Sequence, residues 1–173
     1  ILGLAAELSF LKIWLTNKNQ NIIDWVGPEQ QPQDFIYADN SKAYEIKITS
    51  WDPEVIHVSS LKQLDFDGEL KLVVYPGKIS DETQPNACNL GLLIEEVKKI
   101  CSQDDYFILL NKLLLVGYKE IDCMDTFFEI HDPIAFDVND DFPRLTPGMV
   151  DSSIIKCNYK ISILRLDQFK AQL

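Results

Sequence analysis

Arginine is almost missing from this chain: Arg144 and Arg165 are the only two, and lysine supplies the other fourteen of its 16 positive charges. Against 27 acids this leaves a net charge of −11 at pH 7. A protein that coats nucleic acid through bulk charge is thereby excluded, because such binders gain affinity by neutralising phosphates with Lys and Arg. The deficit is spread along the chain, −6 over residues 1–86 and −5 over 87–173, so no basic module or basic tail exists. Glycine and proline are sparse, 7 and 8 in 173 residues, which excludes a collagen-like repeat. Hydrophobic residues at 46% and charged ones at 25% exclude a disordered tail.

No apolar run approaches the ~20 residues that a membrane span needs. Residues 1–15 are apolar but contain Glu7, and they lack the basic start and small-residue cleavage site of a signal peptide. The chain opens on Ile1, so it is expected to lack the N-terminal part of a longer protein. Cys88, Cys101, Cys123 and Cys157 form no CxxC pair, and two histidines cannot complete a zinc set at these spacings. Free, mostly buried thiols in a reducing cytoplasm are the expectation. Neither GxxxxGK[ST] nor GxGxxG occurs, which argues against a nucleotide-driven motor. The run Asp137–Asp141 lacks the glycine and terminal glutamate of a calcium loop and reads as a solvated acidic turn. No internal repeat is present.

What is there reads as one domain with helix and strand interleaved. Leu4, Leu8, Leu11 and Leu15, widened by Phe10 and Trp14, predict an amphipathic helix over residues 3–16. Short strands are expected over 33–38 and 55–58, and a strong one over 43–50, where Tyr44, Ile46 and Ile48 alternate with Glu45, Lys47 and Thr49. Ser59-Ser60 offers an N-cap for a short helix through Leu64. Residues 69–75 predict a central strand ended by Pro76-Gly77; helices follow over 88–101 and 104–116, the second closed by Gly117. Strands over 126–130, 134–138 and 153–164 complete the pattern. Phe10, Trp14, Trp25, Phe107, Phe127 and Phe128 are expected to fill the core.

Glu45 and Lys47 stand two apart on a strand and share one face. Asp34 lies across a short turn, within reach of Glu45 near the ends of paired strands. Glu7, flanked by Ala5 and Ala6 in an apolar helix, is costly to bury without a partner or a cation. Gln63 follows after the strand pair. Two adjacent carboxylates repel, and a hard divalent cation such as Mg²⁺ relieves that cost through oxygen ligation. A lysine one pleat along can orient water or donate to developing phosphorane charge.

Asp34, ten intervening residues and Glu45-Ile46-Lys47 resemble the D…ExK core of the PD-(D/E)XK nuclease superfamily. More closely, the chain resembles a bacterial domain-of-unknown-function group assigned to that superfamily. The likeness is carried by GLAAELSFL at 3–11, WVGP at 25–28, QDF at 33–35, YEIKIT at 44–49, VSSLKQL at 58–64, VGY at 116–118 and FPRLTP at 142–147. Residue 33 is Gln where the superfamily often has Pro.

The resemblance implies an α/β fold: a restriction-endonuclease-like mixed β-sheet flanked by helices, with a β-rich C-terminal extension. The domain would span 1–173, its core about 1–117 and its extension about 118–173. It further implies a Mg²⁺-dependent endonuclease of a bacterial restriction or phage-defence system, with Mn²⁺ as a substitute ion. Asp34, Glu45 and Glu7 would be metal ligands and Lys47 the catalytic lysine. Gln63 would orient the site or contact DNA. DNA is the expected partner, with a homodimer or a partner subunit of a defence system as further options. The alternative is a catalytically silent nuclease-fold module that binds DNA or a partner subunit.

Overall fold

A computed structural model describes residues 1–17, 20–119 and 125–173. Helix α1 (Leu2–Thr16) buries Leu8, Leu11, Phe10 and Trp14 as the leucine spacing requires, and Ala5 and Ala6 bring its axis close to the sheet. The sheet runs in the order β1 (Phe35–Ile36), β2 (Lys42–Thr49), β4 (Glu69–Ser80), β6 (Ile134–Asp137), β8 (Lys170–Ala171), with β5 (Phe127–Ile130) also paired to β4. β2 and β4 are parallel; every other pairing in this sheet is antiparallel. β3 (Val55–Val58) and β7 (Tyr159–Ser162) form a separate antiparallel pair. Helices α2 (Leu90–Ile100) and α3 (Gln103–Leu115) begin on the side-chain caps of Asn89 and Ser102. This is a mixed α/β fold with a mixed sheet and three helices, consistent with a PD-(D/E)XK nuclease-like fold.

Alternation along β2 divides the core. Tyr44 and Ile46 face α1 with Val73 and Tyr75, whereas Ala43 joins Leu70, Leu72 and Val74 on the other face, under β3 and β7. Glu45, Lys47 and Thr49 belong to that second face. The β-rich segment after residue 118 is woven into the main sheet, because β6 and β8 extend it beyond β4.

Several expectations are corrected. Pro76-Gly77 does not end β4, which runs on to Ser80. Pro76 is the last rung opposite Thr49, and from Gly77 onward β4 pairs with β5, so no ladder bond calls for the missing proline N–H. Residues 61–64 form a turn, not a helix: the backbone bonds there run only three residues back, from Gln63 to Ser60 and from Asp65 to Lys62, and Gln33 and Arg144 tie down the carbonyls of Lys62, Leu64 and Asp65. Ser59 is not an N-cap there; its hydroxyl donates to Gln63 Oε1 instead of accepting a backbone N–H. The strand expected over 153–164 shrinks to Tyr159–Ser162, since Ile154 and Ile155 are exposed. Phe107 is 59% exposed on the outer side of α3 rather than in the core. Gly117 closes α3 at φ +75°, as its position suggests. Cys88, Cys101 and Cys157 are free thiols, half-buried, and Cys123 lies outside the described residues. Among the described residues no helix is long and apolar enough to cross a membrane.

Candidate active site

Asp34 stands one residue before edge strand β1, and backbone bonds fix it from both sides. Its N–H donates to the Tyr44 carbonyl (3.1 Å), and its carbonyl accepts from Val26 and Gly27 (2.8 and 3.0 Å). Because β1 pairs Phe35 with Tyr44, the Asp34 side chain turns back over β2, where Oδ2 accepts from Ile46 N–H at 2.7 Å. Glu45 is 1% exposed beside it. Lys47 Nζ forms an ion pair with Glu45 Oε1 at 2.6 Å, and Oε2 of this buried carboxylate is left without a hydrogen-bond partner.

Glu7 reaches the same place from α1. Its Oε2 accepts from the indole N–H of Trp25 at 2.9 Å. The 3-10 turn Gly27–Glu29 lies between the two helix- and strand-borne acids. A methyl group at Gly27 would stand 2.7 Å from Asp34 Oδ1 and 3.1 Å from Glu7 Oε2. Both oxygens therefore flank one small space that only glycine leaves open. The turn is held from behind by Lys112, 4% exposed on α3, whose Nζ donates to the Trp25 carbonyl and to Glu29 Oε1, both at 2.6 Å.

Burial dominates the electrostatics. It pushes Glu7 up to about 7, with the Asp34 charge adding to the rise and the Trp25 bond and Lys47 opposing it. Burial likewise pushes Asp34 up to about 6 against the Ile46 N–H and Lys47. Glu45 is raised well above the usual carboxylate range by burial and by Asp34, with Lys47 opposing. Three carboxylates thus crowd one ammonium.

Glu7, Asp34, Glu45 and Lys47 share this cluster, whereas Gln63 stands outside it. The Gln63 carboxamide oxygen is committed to Ser59, accepting from its N–H at 2.8 Å and its hydroxyl at 3.0 Å. Gln33, next to Asp34, ties the backbone of the turn carrying Gln63 toward the cluster. Trp25, Gly27 and Lys112 escaped the sequence reasoning as members of the site. The only signals were WVGP as a block and one lysine inside an apolar helix.

The donor set suits a hard divalent cation: all-oxygen, anionic, buried, with Glu45 Oε2 left without a hydrogen bond. A cradle that a Cβ would fill separates Glu7 from Asp34. Among the described residues no three His, Cys, Asp or Glu side chains are closed to the spacing of a ligand shell. Glu45 pairs with Lys47 at 2.6 Å.

A family model with the description "Putative PD-(D/E)XK family member, (DUF4420)" matches residues 1–164. No curated protein and no solved structure matches the chain.

Proposed function

The chain belongs to that PD-(D/E)XK family, and on this premise we propose that it is a Mg²⁺-dependent endonuclease hydrolysing the phosphodiester bonds of DNA. The observation that carries the reading is the meeting of Glu7, Asp34 and Glu45 around Lys47 in a buried cluster where Glu45 Oε2 has no hydrogen-bond partner. Asp34 and Glu45 would hold the cation, with Glu7 beside them. When bound, the cation supplies positive charge against the phosphodiester and its entering and departing oxygens. Lys47, with its side chain 14% exposed, keeps its ammonium at the solvent side of Glu45, where it can donate to an attacking water or to a phosphoryl oxygen. Trp25 anchors one Glu7 oxygen through the indole bond, and Ile46 N–H does the same for Asp34. A restriction or phage-defence setting follows from the family resemblance alone.

The rival is a silent nuclease-fold module. It is favoured by the acids' failure to close into a ligand shell among the described residues. Calorimetric titration with Mg²⁺ or Mn²⁺ separates the two. Binding that Asp34→Asn removes is the expected result, and no binding by the wild type assigns the silent role.

A further inference from the structure

The block FPRLTP has no part in the carboxylate cluster, yet it lines a cationic cavity. Both arginines of the chain, Arg144 and Arg165, line a cavity of about 400 Å³ together with Lys160, and no acid lines it. Acids outnumber bases 27 to 16 in this chain, so such segregation needs a reason. In two other cavities the lining lysines are neutralised by neighbours, Lys12 by Glu96 and Lys71 and Lys42 by Asp137 and Glu69, whereas a smaller one of about 250 Å³ holds Lys62 and Lys156, also without an acid. Among the described residues no ion pair engages Lys160 or Arg165, and both are exposed.

Arg144 is the fixed wall. Its Nη1 donates to the Leu64 carbonyl at 2.7 Å, and its Nε is buried without an acceptor. Its one acid, Asp140, stands 3.5 Å away and fully exposed, a weak pairing. The floor is apolar and aromatic, from Leu145, Tyr159 and Ile161, with the Tyr159 hydroxyl accepting from Leu145 N–H at 3.1 Å. The Leu64 turn that Arg144 grips is gripped from its other side by Gln33, the neighbour of Asp34. One turn therefore links the cavity wall to the carboxylate cluster.

We propose that this cavity is a subsite for one nucleotide of the DNA strand, Arg144, Lys160 and Arg165 taking its phosphate and the Leu145–Tyr159–Ile161 floor its sugar and base. The assignment rests on the nuclease reading and extends it: a strand running from the cluster past the 61–65 turn meets its phosphate contacts here. It also answers how so acidic a chain holds a polyanion, by a few segregated cations rather than by net charge.

The test is fluorescence anisotropy with labelled single-stranded and duplex DNA in EDTA, comparing wild type with Lys160→Ala/Arg165→Ala. Both positions are exposed, and matching melting temperatures establish that the fold is kept. The expected result is about a tenfold loss of affinity at low salt, with the slope of log affinity on log salt reduced by about one to two. Unchanged affinity and slope overturn the proposal, as does a wild type that binds no DNA, or a loss seen with labelled RNA and not with DNA. The nuclease reading is judged separately, by DNA cleavage in Mg²⁺. Cleavage with an insensitive cavity sinks the subsite alone, and cavity-dependent binding without cleavage sinks the nuclease reading alone.

Discussion

Removing one charge from the carboxylate cluster should stabilise the protein. In Glu7→Gln the side chain keeps its shape and still offers an oxygen to the Trp25 indole, so the main change is the lost negative charge. Glu7 is pushed from 4.5 up to about 7 by burial and by Asp34. The folded chain therefore binds this proton more tightly than the unfolded chain, and stability falls as pH rises from 4.5 to 7. At about 1.4 kcal/mol per pKa unit, carrying the ionised group at pH 8 costs up to about 3 kcal/mol. Partial exposure and relaxation of the turn reduce that, so the variant should gain about 1–3 kcal/mol in EDTA at pH 8. At two to four degrees per kcal/mol, its melting temperature should rise by about 3–10 °C. By pH 4 both states carry the proton and the difference should vanish. Thermal melts of both proteins from pH 4 to pH 8 provide the assay. A variant that melts at or below wild type at pH 8, or gains equally at pH 4, would refute the reasoning.

Two further substitutions probe the walls of the site. Gly27→Ala places a methyl 2.7 Å from Asp34 Oδ1, a contact that forces the turn or the carboxylate to move. Urea denaturation should show a loss of about 1–3 kcal/mol, and Mg²⁺ titration at least a tenfold weaker site. Lys112→Met strands the Trp25 carbonyl, 2.6 Å from the buried ammonium, and removes the partner of the half-exposed Glu29. The urea midpoint should fall by the equivalent of about 2–4 kcal/mol, and an unchanged midpoint would show that the 25–29 turn stands without it.

The candidate site was legible in part because two of its placements follow from local geometry. Alternation puts Glu45 and Lys47 on one face wherever β2 forms, and an antiparallel turn brings residue 34 back toward residue 45. Glu7 was suspect for its cost in an apolar helix, though nothing local says where that helix lies against the sheet. Trp25, Gly27 and Lys112 could not be reached this way. Their roles come from contacts between residues 7 to 87 positions apart, which no periodicity encodes. The misread elements have the same cause. β4 outlives Pro76-Gly77 because β5, some fifty residues later, supplies a new partner, and the 61–65 turn is set by Gln33 and Arg144. Gln63 illustrates the limit, since its position in the family pattern carries no information about which way its carboxamide turns.

The measurement that bears most directly on the site is cleavage of labelled DNA in Mg²⁺ by wild type and by Lys47→Ala, with circular dichroism establishing that both are folded. Lys47 is the one ammonium among three crowded carboxylates. The predicted result is Mg²⁺-dependent cleavage by the wild type, abolished by EDTA and by the substitution. A folded Lys47→Ala that cuts as fast as wild type would contradict the assignment.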